Sequence, residues 1–306
     1  MSLLSHPRLH AFGQELSMEA DAFGWLRDSS AIATDAEALR AAFERDGYLY
    51  LPGYLERAQV LEARRDVCEK LKAEGILHPE REASEGILKP EATVKFRPDI
   101  ATGNPVVESL LYGPCMRAFY ERFLGGPVRH FDFTWFRAVS PGRGSPPHCD
   151  AVYMNRGTFN LYTAWVPFGD VTLDLGGLII LEDSHKQTDR LRKYLASDVD
   201  SYCENKPGDF EKALHGRRNW QGSLSKNPRS LRERLGGRWL TAEFKAGDLL
   251  TFGMATVHGS LDNQTPDRIR LSSDSRYQLA SEPADERWVG PKPVGHSRAG
   301  KRGRIC

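Results

Sequence analysis

The sequence predicts a mainly β protein with flanking helices, and two observations predict it. The apolar period is helical through the first third of the chain and changes to two from about residue 128. Beyond that point come several short apolar runs separated by Gly, Pro and Asp turns, the pattern of a barrel or sandwich.

The elements follow in order. Thr34-Asp35-Ala36-Glu37 has the form of a capping box and opens a helix through Leu39, Ala42 and Phe43, which Asp46-Gly47 stops. Tyr48-Leu49-Tyr50-Leu51 reads as a short strand closed by Pro52-Gly53. Val60, Ala63, Val67 and Leu71 recur at helical spacing, giving an amphipathic helix over 55–73. Asn104-Pro105 supplies a cap and an N1 proline for a helix that buries Val107, Leu110 and Leu111. Gly113-Pro114 interrupts it, and Met116, Phe119, Tyr120 and Phe123 carry a second helix to Gly125-Gly126. Then Phe131, Phe133, Trp135 and Arg137 alternate with Asp132, Thr134 and Phe136, as in a strand. Further strands are expected over 159–168, 177–182, 239–244, 248–257 and 268–280. Residues 184–237 are rich in Arg, Lys, Asp and Asn; they read as an insertion with one or two short helices, a lid or a solvated excursion.

With 306 residues the chain suits one large domain or two small ones. A net charge of +1 gives no electrostatic case for nucleic acid or an anionic membrane. The basic stretch His296–Arg304 reads as a solvated or frayed terminus. No run is apolar enough to span a bilayer, and Met1–Ala20, with His6, Arg8, Gln14 and Glu15, has no apolar signal core. Five scattered cysteines (68, 115, 149, 203 and 306) with no CxxC argue against a disulfide framework and a structural zinc, making a reducing cytoplasm the default location.

Chemistry concentrates in the second half. On a strand, His148 and Asp150 point to one face and Cys149 points away, into packing. A lone His-x-Asp is weak. It gains weight from His258, which follows a turn and an apolar strand (residues 246–252) and meets the pair if the two strands are neighbours. Two imidazoles and a carboxylate can cap three adjacent positions of an octahedral iron(II), leaving three for a chelating co-substrate and O₂. Arg268, Arg270, Ser272, Asp274 and Arg276 share one face of the next strand, and an Arg-x-Ser pair is a natural carboxylate receptor. One such arginine alone is more often a structural salt bridge.

Together these residues resemble the phytanoyl-CoA dioxygenase-like iron(II)/2-oxoglutarate oxygenases over roughly residues 40–280. The resemblance is carried by Asp46-Gly47-Tyr48, Pro147-His148-Cys149-Asp150, Thr163-Ala164-Trp165-Val166-Pro167, and Gly176-Gly177 through Ser184-His185-Lys186. It continues in Gly247-Asp248-Leu249-Leu250-Thr251-Phe252, His258-Gly259-Ser260, Asn263 and Arg268-Ile269-Arg270-Leu271-Ser272. It implies a double-stranded β-helix (jelly-roll, cupin-like) core with N-terminal helices. Iron is then held by His148, Asp150 and His258. An arginine grips the distal carboxylate of 2-oxoglutarate: Arg270 with Ser272 beside it, or alternatively Arg268. Trp165 and Thr163 fall where relatives border the co-substrate. Asp183 stands where relatives carry Gly before Ser184-His185, which implies a changed turn; His185 is expected to be structural. The intact Asp150 favours hydroxylation or another C–H oxidation, with release of succinate and CO₂, over halogenation.

The resemblance thus implies one oxygenase domain over 1–306, with helical support at about 34–127, a core at about 128–280 interrupted at 184–237, and a tail at 281–306. The expected substrate is a small molecule; Trp135, Phe136 and Tyr153 hint at a partly apolar pocket, and Lys186, Arg190, Arg192, Lys193, Arg217 and Arg218 can receive an anion or form a solvated face. Oligomeric state is not legible. The competing readings are a catalytically silent metal- and 2-oxoglutarate-binding protein of the same fold, and a zinc hydrolase built on the same three ligands.

Overall fold

The computed structural model describes residues 8–306; the reading of Met1–Ala20 therefore falls partly outside the described residues. A small hairpin, β1 (His10–Ala11) and β2 (Gln14–Glu15), precedes β3 (Phe23–Trp25). Helix α1 (Ala36–Asp46) follows. Its cap is Asp35, whose carboxylate accepts from the amides of Glu37 and Ala38, so the box led by Thr34 is corrected by one residue. Gly47 ends the helix at φ +76°. Strand β4 (Tyr48–Leu51), α2 (Arg57–Ala73), the short α3 (Pro98–Ala101), α4 (Pro105–Tyr112) and α5 (Pro114–Leu124) come next. As expected, Asn104 caps α4, accepting from the amides of Val106 and Val107.

The strand expected over 131–137 is two strands, β5 (Val128–His130) and β6 (Trp135–Val139). The break has a cause: the Asp132 amide donates to the Trp288 carbonyl, 2.9 Å away in the C-terminal segment, and leaves the ladder. The core continues through β7 (Tyr162–Pro167), β8 (Leu178–Leu181), α6 (Thr188–Leu195), β9 (Ser201–Cys203), α7 (Asp209–Leu214) and α8 (Pro228–Leu235). It closes with β10 (Trp239–Thr241), β11 (Leu249–Gly253), β12 (His258–Ser260), β13 (Arg270–Leu279) and β14 (Arg302–Arg304).

Two sheets result. One runs β12-β8-β10-β3; the other runs β4-β11-β7-β13-β5, with β6 also on β13. Strand alternation divides β13 between two environments. Leu271 and Tyr277 face a core shared with α1, α2, α4 and α5. Arg270, Asp274 and Arg276 line a cleft on the other side, where Trp165, Leu178, Ile180, Leu250 and Phe252 pack between the sheets. The molecule is therefore mixed α/β and rich in sheet.

Two expectations are corrected. The 184–237 stretch is partly structural cover: Leu191 of α6 and Leu231 and Leu235 of α8 pack on Ile179, Leu181 and Trp239, closing the outer face of the four-stranded sheet. Two of its basic residues serve that structure, while Arg192, Lys193 and Arg217 are exposed. Arg190 donates to the Arg234 carbonyl at the end of α8, and Arg218 pairs with Asp209. The C-terminal stretch is docked, not frayed. β14 pairs in parallel with β9, Cys306 is disulfide-bonded to Cys203, and Asp285, Arg287 and Trp288 are each 1% exposed. The pull is electrostatic: Arg287, His296 and Lys301 converge on the buried Asp200. With one pair of cysteines bonded, the cysteine pattern no longer argues for a reducing location. Among the described residues no helix is long and apolar enough to cross a membrane.

Candidate metal centre

His148 and His258 are held side by side by the backbone. Each amide donates to the other's carbonyl at 2.9 Å, an isolated antiparallel bridge that sets the two imidazole centroids 4.2 Å apart. His258 does not end β11. The chain leaves β11 at Gly253, crosses to the other sheet and starts β12 with His258. Asp150 is likewise not on a regular strand, because a 3₁₀ turn spans Asp150–Val152. One extended residue, Cys149 (φ −115°, ψ 145°), is enough to bring His148 and Asp150 to the same side. Cys149 itself is fully buried and its thiol donates to the Ala255 carbonyl, so it packs and does not ligate.

The proton positions follow from the partners. Nδ1 of His148 lies 2.8 Å from the Pro146 carbonyl, and Nδ1 of His258 lies 3.0 Å from the Thr256 carbonyl. A carbonyl only accepts, so each Nδ1 carries the proton and each Nε2 presents a lone pair. Burial pushes the His148 pKa down to about 3, with the charge of His258 adding to the push; both rings are neutral near pH 7. Asp150 Oδ1 sits 3.7 Å from His258 Nε2 and 4.0 Å from His148 Nε2. Its Oδ2 accepts from Thr163 Oγ1 at 2.5 Å and pairs with Arg276 Nη2 at 3.0 Å. Burial raises the Asp150 pKa, but the opposing effects, led by the Arg276 guanidinium, hold the carboxyl below its usual range. One donor atom from each of the three residues lies within 4.8 Å of the others, the dimension of a metal site.

Of the two candidate arginines, the structure brings only Arg270 to the cleft. Arg270 is 2% exposed and its Nη1 donates to Ser272 Oγ at 3.0 Å, while its Nε has no partner. Burial lowers its pKa to about 10, helped by the neighbouring Arg137 and opposed by Asp274. Arg268 is exposed, two residues before β13, in an isolated antiparallel bridge with Ile87, and does not line the cleft. Trp165 lines the cleft, edge-on to Phe244. Thr163, expected beside the co-substrate, donates its hydroxyl to Asp150. Phe136, expected near the pocket, faces the helices against Phe168.

Three charged residues had no role assigned from sequence, although strand parity placed two of them beside Arg270. Arg137 Nε donates to Asp274 Oδ2 at 2.7 Å, and Arg276 lies 4.7 Å over the Trp135 ring. Tyr153 sets its ring edge-on to His148. His185 meets the Glu44 carbonyl at the end of α1 and is structural. Asp183 takes φ +55°, so the turn keeps a conformation that favours Gly.

The fold and these donors define a metal-dependent enzyme of the sheet-rich oxygenase type, and comparison with known proteins gives the family. The phytanoyl-CoA dioxygenase (PhyH) family model matches residues 43–272, and the chain belongs to that family. It is 26% identical over 284 residues to 1-deoxypentalenic acid 11-beta-hydroxylase of Streptomyces exfoliatus, covering 90% of this chain and 92% of that protein. To the enzyme of the same name from Streptomyces arenae it is 25% identical, covering 92% and 94%. Its fold is shared with the carbocyclase SnoK of nogalamycin biosynthesis, at TM-score 0.58 and 19% identity over 87% of this chain and 92% of that one. It is shared also with the epimerase SnoN in complex with Fe³⁺, α-ketoglutarate and nogalamycin RO, at TM-score 0.55 and 21% identity over 84% and 92%. The protein is an oxidoreductase, an iron(II)/2-oxoglutarate-dependent dioxygenase.

Proposed function

We propose that His148, Asp150 and His258 hold the iron(II), that Arg270 with Ser272 binds the distal carboxylate of 2-oxoglutarate, and that the protein oxidises a C–H bond of a small, partly apolar molecule. In this reading residues 1–306 form one oxygenase domain, and its two facing sheets are a double-stranded β-helix. The observation that carries the assignment is the meeting of two neutral Nε2 lone pairs and one free carboxylate oxygen beside a buried guanidinium with an unpartnered nitrogen. A buried cation without an anion is costly, so the site fits an anionic ligand.

When bound, iron and 2-oxoglutarate together supply the oxidant for C–H cleavage, with succinate and CO₂ as co-products. The chain's own residues do the rest. The Pro146 and Thr256 carbonyls fix the tautomer and ring orientation of the ligands. Arg270 orients the co-substrate's far end. Phe133, Trp135 and Trp288 pack edge-on and tilted into an apolar wall beside Arg276. The same wall supports a small organic substrate; the curated relatives are named for hydroxylation of 1-deoxypentalenic acid, and SnoN holds nogalamycin RO.

The test is an anaerobic titration of iron(II) and 2-oxoglutarate, followed by the weak visible charge-transfer band of the iron(II)–keto-acid chelate. The band is expected in the wild type and absent in His258→Ala. No band at saturating iron and co-substrate overturns the reading.

A further inference from the structure

The two oxygens of Asp150 face different surroundings. Oδ1 points at the two Nε2 lone pairs; Oδ2 is taken by Thr163 and Arg276. Those two donors are direct cross-strand partners, Thr163 on β7 opposite Arg276 on β13, so their spacing is fixed by the ladder. Both are 2% exposed, and the Arg276 guanidinium is backed by the Trp135 ring.

This bears on the coordination count. Three protein donors and a chelating co-substrate fill five positions of an octahedron and leave one. An aspartate that ligates through both oxygens closes that sixth position. Resting on the metal assignment above, we propose that Arg276 and Thr163 are positioning residues that restrict Asp150 to ligation through Oδ1 and thereby keep a coordination position open.

The experiment uses nitric oxide as a stand-in for O₂ on the anaerobic iron(II)–2-oxoglutarate holoenzyme, read by the electron paramagnetic resonance signal of the iron–nitrosyl. It compares wild type, Thr163→Val, Arg276→Lys and Arg276→Met at full metal occupancy, each checked by chelator competition. Thr163→Val keeps the side-chain volume and tests the hydrogen bond without removing charge. The expected result is nitric-oxide affinity lowered about 10-fold or more in Arg276→Met, in the range typical of partners of metal ligands. Thr163→Val should be weakened less, and Arg276→Lys partly restored. A merely charge-balancing role changes metal affinity or melting temperature and leaves nitric-oxide affinity unmoved; that outcome in the folded Thr163→Val and Arg276→Lys proteins overturns the proposal. If the wild type itself takes up no iron, the metal assignment has failed.

Discussion

Asp150 and Asp200 are both buried carboxylates, yet they are partnered in opposite ways. Asp200 is fully closed: Oδ2 takes Arg287 Nη1 at 2.6 Å and His296 Nδ1 at 2.8 Å, and Oδ1 takes Lys301 Nζ at 2.6 Å. Arg287 is closed in turn, by Asp285 and by the Tyr153 carbonyl. Asp150 is closed on one oxygen only. The other faces two nitrogens whose protons are turned away, and nearby Arg270 and Arg276 each keep an unpartnered Nε. A buried charge that satisfies all its partners is a structural fastening; one that leaves donors and acceptors open is built to receive something. The two clusters meet at Tyr153, whose carbonyl anchors Arg287 and whose ring leans on His148.

The sharpest way to break this comparison is to damage each cluster and read both properties. His258→Ala is expected to abolish iron binding, seen as complete loss of the chelate band, with melting temperature little changed. Asp200→Ala should do the reverse. Removing one member of a buried ion network costs about 3–5 kcal/mol, because Lys301 stays buried without its counter-charge and Arg287 keeps only Asp285 and Asp198. Chemical denaturation measures the loss, and the folded protein should still bind iron. If Asp200→Ala loses iron at full foldedness, the clusters are not separable.

Arg270→Met sharpens the contrast from the other side. On the proposed assignment it removes an ion–hydrogen-bond contact to the co-substrate, so the 2-oxoglutarate concentration needed for the chelate band should rise about 10- to 100-fold. Without ligand, though, it replaces an unsatisfied buried guanidinium by an apolar chain of similar length, and stability should hold or increase. A large drop in melting temperature shows instead that Arg270 is part of the fastening.

The same difference explains what could be read in advance. Asn104-Pro105, Asp46-Gly47 and the apolar spacing of α2 are local signals, and the helices they announce are present. The meeting of His148, Asp150 and His258 is legible because ligand chemistry restricts residue type, and the Arg270–Ser272 contact because parity puts the two side by side. The imidazole partners were not, since Pro146 and Thr256 act through carbonyls that every residue has. Nor was the Asp200 cluster: Arg287, His296 and Lys301 lie 87, 96 and 101 residues away, with no local pattern linking them. The basic C-terminal stretch therefore read as solvated until its counter-charge was in place.

The smallest expected effect is one of pH. Burial works against the ionised Asp200, but His296 and Lys301 outweigh it and bring the pKa down to about 2. An unfolded Asp titrates near ~3.9, so between these values the unfolded chain binds the proton and the folded chain does not. The stabilisation, about 2.6 kcal/mol by this linkage, is therefore fully present above about pH 4 and is lost as pH falls towards 2. Other carboxylates also protonate in that range, so the useful quantity is a difference. The stability gap between wild type and Asp200→Asn should be constant between about pH 4 and 5 and narrow below it. Denaturant titrations at a series of pH values measure it. A gap that stays constant through the acid range means Asp200 gains nothing from its charge, and the contrast with Asp150 then rests on hydrogen bonding alone.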